Sequence, residues 1–338
     1  MYKKDSDLCS LETMRSSKNP SWYRVLTIAV LTFTLASFLL SAWLRANEGV
    51  VQIHTSLTAA QYVGLVRRGV SAPPLLDRPH HFSLEQSDQF CATQTPKSGE
   101  KHFVFMMIVS SWENSDRRDH IRKTWATYDW FKNSPELSYG YKFIISQPSP
   151  DKEYKTRPTD LGSPDILIAD HLAEHYYLLD LKVMWGFSRV LSTHNFDYIL
   201  KCDDDTFVNL WKLPSRVLGS VKTDYFYGGK VLGLQEPWSW NGENIAYASG
   251  SGYVLSRRAL CAVVVAHAVY SLDNPRIPIE DAYTGVLNAR MGIPLTGLKG
   301  FATDHESCKN FDTVIFHHIH MKLFGRLLKA AVNGTHFC

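Results

Sequence analysis

The sequence predicts an α/β fold, a largely parallel sheet flanked by helices, behind a single membrane-spanning segment and a stem. Three observations lead there. From about residue 100 onward, short apolar runs with strand character alternate with amphipathic stretches, the pattern of βαβ units. One run of 20 residues, Val25 to Leu44, carries no charge. Between the two, residues 45–98 lack strong periodicity and hold Pro73-Pro74, Pro79 and Pro96 among polar clusters.

The chain of 338 residues is 45% hydrophobic and 20% charged, a balance that supports a sizeable core. Formal net charge is +3. The basic residues come singly or in doublets such as Arg117-Arg118 and Arg257-Arg258. A nucleic-acid partner would call for a concentrated basic stripe, which is missing, so no such partner is expected. Scattered cations suit a small anionic ligand better.

Val25–Leu44 has the length that spans a hydrocarbon layer of about 30 Å, and Trp22, Tyr23 and Trp43 flank it as an aromatic belt. A cleaved signal peptide is the competing reading, but its apolar region would be shorter and would end at small residues. Lys3, Lys4, Arg15, Lys18 and Arg24 precede the span and only Arg45 follows closely. The positive-inside bias therefore orients the chain as a type II protein. The expected boundaries are a cytosolic tail over 1–24, a signal anchor over 25–44, a stem over 45–98 and a folded domain over 99–338. Cys91, Cys202, Cys261, Cys308 and Cys338 would then lie in an oxidising compartment, an odd number that leaves at least one thiol over. Their pairing is not legible at this level, nor is oligomeric state, where a homo-oligomer stays open. The sequon Asn333-Gly334-Thr335 would be accessible to glycosylation.

Within the domain, "HFVFMMIVSS" reads as a buried strand. "SDRRDHIRKTWATY" reads as a helix capped by Ser115, with Ile121, Trp125 and Tyr128 at helical spacing. "YGYKFIIS" and "DILIAD" read as strands, and 172–191 as one long amphipathic helix. "FDYILKCDDD" is a strand, and 207–218 a helix bent or ended at Pro214. "DYFYGGKVLG" and "AYASGSGYVLS" look like strands divided by a loop rich in Trp, Pro and Gly. Residues 257–270 read as a helix, and 280–292 as another closed by Gly292. A short strand, 313–320, and a helix to about Ala331 follow.

Asp203, Asp204 and Asp205 stand at the end of a clean buried strand, where open α/β sheets place their ligand crevice. Carboxylates are hard ligands suited to Mg²⁺ or Mn²⁺, and a cation would relieve their repulsion and bridge to a diphosphate. A solvated turn would also carry aspartates. Glu280 and Asp281 open a helix behind the apolar approach "IPI". Charge complementing the helix dipole accounts for acids there; a partly desolvated base accounts for the apolar approach as well. His317, His318 and His320 crowd one short segment, and strand alternation puts His318 and His320 on one face and His317 on the other. They are core histidines or metal ligands. Gly250, Ser251 and Gly252 admit close approach of a ligand to the backbone, or mark a bulge. Trp238 and Trp240 are buried anchors or a platform for the apolar face of a sugar.

Taken in order, these pieces resemble the β-1,3-galactosyltransferase and β-1,3-N-acetylglucosaminyltransferase family, glycosyltransferase family 31. "RRDHIRKTW" (Arg117 to Trp125) matches R-R-x-x-I-R-x-T-W. "EHYYLLDLK" (Glu174 to Lys182) matches D-x-Y-x-N-L-T-x-K in part, with departures at Leu178 and Asp180. "KCDDDTFVN", "YASGSGYVLS" and "EDAYTG" match the next blocks, with Ala282 where Val is commoner, and "GFATD" and "FHHIH" resemble the closing ones. The resemblance implies a GT-A fold in the Golgi lumen, a UDP-sugar donor, Mn²⁺, a glycan acceptor on glycoprotein or glycolipid, and inversion at the anomeric carbon. It makes Asp281 the general base. Asp205, Asp203 and a histidine, His317 or its neighbour His318, become metal ligands. Arg117, Arg118, Arg122, Lys182, Asp203 and Asp204 fall on the donor side, and Trp238, Trp240, Gly250, Ser251, Gly252 and Glu280 on the acceptor side. UDP-galactose is the favoured donor; UDP-GlcNAc and UDP-GalNAc are the alternatives, together with a membrane-tethered homologue that binds glycans without turnover.

Overall fold

The computed structural model describes residues 83–94, 101–126, 138–154, 157–233, 238–240, 243–273, 277, 279–301 and 312–335. The apolar span Val25–Leu44, Cys9, Cys308 and Cys338 lie outside them. No helix among the described residues is long and apolar enough to cross a membrane.

Among these residues one mixed sheet of seven strands forms the centre, in the order β10-β6-β9-β4-β1-β2-β3. Its strands are β1 (Lys101–Val109), β2 (Tyr139–Gln147), β3 (Ile166–Ala173), β4 (Asn195–Asp203), β6 (Tyr227–Leu232), β9 (Tyr247–Ser256) and β10 (Leu295–Gly297). β3, β2, β1 and β4 run parallel, and β9 runs antiparallel between β4 and β6. The expected parallel α/β sheet is therefore present, with one reversed strand.

Alternation along the strands supplies two apolar layers. Phe105, Met107 and Val109 of β1 pack under α3 (Leu179–Thr193), α5 (Arg257–Asp273) and α6 (Glu280–Arg290). Val104, Met106 and Ile108 face α2 (Ser115–Arg122), α4 (Leu213–Leu218) and α7 (Phe324–Asn333). Helix α3 buries Val183, Met184, Phe187, Val190 and Leu191, an i, i+4, i+7, i+8 stripe wide enough to hold it on the sheet.

Several boundaries differ from the sequence reading. Leu172 and Ala173 belong to β3, where Ala173 pairs with Gln147, so the long helix begins at Leu179 after a 3₁₀ turn over Tyr176–Leu178. Helix α2 ends at Arg122, short of the expected 128, and Asn114 rather than Ser115 precedes its first turn. Residues Phe207–Val208 form a short strand, β5, paired with β11 (Ile315–Phe316). Pro214 sits in the first turn of α4, where its missing N–H is harmless, so it opens that helix rather than bending it. Trp238–Trp240 (β7) pairs with Glu243–Ile245 (β8) as a hairpin. Gly292, at φ 69°, ends α6 as expected. Asn333 is exposed at the end of α7.

Part of the stretch expected as a stem forms α1 (Leu84–Gln94), which buries Phe90 and Cys91 against α5. Cys91 is bridged to Cys261 there, with Cα atoms 5.5 Å apart. Arg258 Nε donates to Asp88 Oδ1 at 2.9 Å, fixing the same helix by charge. Among the described residues Cys202 is a free, buried thiol.

Candidate active site

The carboxyl ends of β1 and β4 and the start of β9 open into a cleft of about 540 Å³. Its lining includes Ser110, Asn114, Lys152, Tyr176, Asp203, Asp204, Asp205, Gly250, Asp281, His317 and His318. The three aspartates occupy distinct environments. Asp203, half-exposed, accepts a 2.9 Å bond at Oδ1 from Lys201 Nζ. Asp204 is buried and fully engaged. Its Oδ2 accepts from Ser110 Oγ (2.7 Å) and Asn114 Nδ2 (2.8 Å), and its Oδ1 from Arg117 (3.0 Å). Burial pushes the Asp204 carboxyl above its usual range despite those donors.

Asp205 is the acid left with unspent capacity. Its Oδ1 is buried and receives no hydrogen bond among the described residues. His317 Nε2 lies 3.4 Å from Oδ1, and His318 Nδ1 and Arg117 lie 3.5 and 3.6 Å from Oδ2. Burial pushes this carboxyl up, and His317, Arg117 and His318 outweigh it, so that Asp205 sits below the usual carboxylate range. One ligand atom from each of Asp205, His317 and His318 falls within 4.8 Å of the others. Two imidazoles and a carboxylate make a donor set that fits a divalent transition-metal ion.

That set corrects the ligand group expected from sequence. Asp203 stands at its edge: Oδ2 is 3.9 Å from His317 Nε2, and Oδ1 is spent on Lys201. His318 joins it, because the strand ends at Phe316 and His318 turns to φ 57°. Alternation no longer applies there, and the two imidazoles come to lie 3.8 Å apart, centre to centre. His320 instead accepts the N–H of Lys322 and opens the following 3₁₀ turn.

Asp281 lines the same cleft. Its Oδ2 accepts the Gly250 N–H at 2.8 Å and its Oδ1 the Ala282 N–H at 2.9 Å. A Cβ at position 250 would come within 3.2 Å of Oδ2, so the small residue there serves Asp281. Gly252 faces elsewhere: a Cβ on it would meet Ile315 at 3.0 Å, so it admits packing, not a ligand. Ser251 is buried; its carbonyl accepts from Thr206, and its hydroxyl pairs with Ser249. Trp238 and Trp240 lie on β7, with side chains outside the described residues.

Three further expectations are corrected. Glu280 borders the cleft but is buried, with its carboxylate committed to Lys201 Nζ (2.8 Å) and the Tyr253 hydroxyl (2.5 Å). Arg118 and Arg122 do not enter the cleft. Arg118 holds Asp160 through two bonds and Arg122 holds Asp165 through two more, bracing the loop after β2. Arg117, one residue out of phase with them on α2, is the arginine that faces the aspartates. Lys182 lines the cleft wall, but its ammonium is committed to the Ser110 carbonyl (2.7 Å) and to Glu174 (2.7 Å). It shapes the end of β1 rather than offering a free cation.

Sequence reasoning missed Ser110, Asn114 and Lys201. Lys201 had a signal: a lone cation inside the apolar run "YILKC", where only a partnered lysine is tolerated.

Several known proteins are similar to this chain. The family described as galactosyltransferase matches residues 116–299. Human beta-1,3-galactosyltransferase 5 is 28% identical over 255 residues, covering 70% of this chain and 76% of its own. Mouse beta-1,3-galactosyltransferase 1 is 25% identical over 235 residues, covering 64% and 67%. Among solved structures, the galactosyltransferase LgtC in complex with donor and acceptor sugar analogues is similar at a TM-score of 0.37. It shares 9% identity and covers 67% of this chain and 95% of its own.

Proposed function

The chain belongs to the galactosyltransferase family, and from that premise we propose an inverting β-1,3-galactosyltransferase that moves galactose from UDP-galactose to the 3-hydroxyl of an acceptor sugar. One observation carries the reading. Asp281, anchored by two backbone N–H groups, shares a cleft with an acid, Asp205, whose buried Oδ1 receives no hydrogen bond among the described residues and lies beside two imidazoles. Such a cleft can neutralise a departing diphosphate on one side and accept a proton on the other.

The chemistry asked of this chain is modest and positional. The acceptor hydroxyl attacks the anomeric carbon as the bond to UDP breaks on the opposite face. Asp281 takes the hydroxyl proton; the Gly250 and Ala282 amides hold its carboxylate in place for that transfer. Arg117, pinned by Asp204, adds positive charge on the leaving-group side. A divalent cation, when bound at Asp205, His317 and His318, supplies further charge neutralisation for the diphosphate oxygens. The same reading anchors the protein in the Golgi membrane through Val25–Leu44, with residues 99–338 lumenal and glycoprotein or glycolipid glycans as acceptors. The names of the relatives support galactose; UDP-GlcNAc and UDP-GalNAc are the rival donors.

The test is incubation of the full-length protein in detergent with each UDP-sugar, Mn²⁺ and a glycan panel, followed by linkage analysis. A β-1,3-linked galactose is expected. Asp281→Asn is expected to keep UDP binding and lose transfer by about 10³-fold. Retained transfer in that variant removes Asp281 from the mechanism, and equal donor cleavage without acceptor would reassign the protein as a hydrolase.

A further inference from the structure

The proposed chemistry leaves Lys201 without a role, and its surroundings are those of a built device. It lies within β4, 1% exposed. An ammonium has three donors, and each of these has its own acceptor: Asp203 Oδ1 at 2.9 Å, the Gly250 carbonyl at 2.9 Å and Glu280 Oε2 at 2.8 Å. The three acceptors come from three segments. Asp203 ends β4 and begins the acidic group. Gly250 belongs to β9, and its N–H, on the other side of the same Cα, holds Asp281 Oδ2. Glu280 immediately precedes Asp281 on α6.

Glu280 is itself held from behind. Its Oε1 accepts from the Tyr253 hydroxyl at 2.5 Å and from Thr284 Oγ1 at 3.3 Å. Tyr253 is the residue paired with Lys201 across β9 and β4. The ring of contacts closes: strand, strand, helix and back. Stability alone does not account for it, since an apolar cluster of the same volume is commonly as stable as a buried ion network. A network of this kind differs from an apolar cluster in direction. Apolar packing is not directional, whereas the bond from Lys201 to Glu280 ties the first turn of α6 to the same nitrogen that holds Asp203 and the Gly250 carbonyl.

We propose that Lys201 is a positioning residue. By tying Glu280 and the Gly250 peptide to Asp203, it fixes the Asp281 carboxylate at one spacing from the acidic group through turnover. This inference rests on the reading of Asp281 as the base.

The test uses Glu280→Ala, Glu280→Gln and Tyr253→Phe in the full-length protein in detergent. Glutamine can keep the connection, its amide oxygen toward Lys201 and its amide nitrogen toward Tyr253. Misplacement of a reacting group by about 1 Å costs about 100-fold. Glu280→Ala is therefore expected to lower kcat about 100-fold, with the Kd for UDP and Mn²⁺ in calorimetry held within about threefold. Glu280→Gln should recover most of that loss. A folded Glu280→Ala with unchanged kcat overturns the proposal. So does a parallel loss of UDP affinity that glutamine does not restore. If Glu280→Ala fails to fold, Tyr253→Phe decides: kcat about tenfold lower at unchanged UDP affinity supports the tie, and unchanged kcat sinks it. Asp281→Asn is measured alongside. Turnover in that variant sinks the base assignment, whereas an inactive Asp281→Asn beside a fully active Glu280→Ala sinks this inference alone.

Discussion

Two groups of charged side chains flank helix α2, built on opposite plans. On one side Arg118 and Arg122, one helical turn apart, meet Asp160 and Asp165 in fork-to-fork pairs, with Arg122 also bridging to Asp160 at 2.9 Å. Every charge there is answered. On the other side Arg117 faces Asp204 and Asp205, whose Oδ1 is buried and unanswered among the described residues. The first group is architecture: it fixes the loop after β2 that walls the cleft. The second holds one buried carboxylate oxygen without a hydrogen bond among the described residues, beside His317 and His318. The sum of charges does not separate them; completeness of pairing does.

The comparison is most sharply broken by removing what completes the second group. Chelation with EDTA is expected to abolish transfer and Mn²⁺ to restore it, while Asp205→Asn is expected to lose about 10³-fold in kcat and resist restoration. Transfer that persists undiminished in EDTA would mean that the unanswered oxygen needs nothing. Next in size are the two neighbouring arginines. Arg118→Met removes the four bonds of a fully buried guanidinium and leaves Asp160 to Arg122 alone, and is expected to cost about 3 kcal/mol in urea denaturation. Arg117→Met takes one donor from the buried Asp204 carboxylate and is expected to cost less, about 1 kcal/mol, while raising the KM for the donor. Exchanged outcomes would invert the assignment of the two groups.

A smaller effect has the opposite sign. Asp204 is a buried carboxylate that burial holds above its ordinary pKa, so its charge is carried at a cost. Asp204→Asn is expected to leave stability unchanged or raise it by about 1 kcal/mol while transfer is lost, the usual exchange of stability for function. A clear loss of stability would show that its three hydrogen bonds outweigh the cost of burying the charge.

Much of this was legible before any coordinates. Buried apolar runs announced the sheet, and the position of Asp203–Asp205 behind one of them announced the cleft. Asp281 and His317 followed from their motifs. The remainder depended on partners distant in sequence. Nothing in "RRDHIR" distinguishes Arg117 from Arg118; the decision lies with Asp160 and Asp165, in a loop about 40 residues on. Leu172 and Ala173 suit a helix by propensity, and pairing with β2 overrides it. His318 was assigned to the wrong face because alternation presumes a strand, and this one lasts only over Ile315–Phe316. The sequence places Glu280 at a helix start on the acceptor side, and its commitment to Lys201 is hidden because that partner sits on a strand 79 positions earlier.

The last prediction concerns pH, where the two groups should respond with opposite signs. Burial alone would raise the Asp160 and Asp165 carboxyls, but their arginine bonds prevail and hold both below the usual range. A depressed folded pKa means that the unfolded chain binds more protons. The network's stabilisation is thus fully present above the unfolded value of about 3.9 and fades as pH falls through the folded ones. Asp204 is raised, so the folded state binds its proton more readily, and its contribution declines as pH climbs past about 3.9. Urea midpoints measured across the acid range in EDTA separate the two. Asp160→Asn with Asp165→Asn should flatten the fall on the acid side, and Asp204→Asn should lift the neutral side. A single slope shared by all three variants would mean that the completed and incomplete groups titrate alike, and the distinction between them would not survive.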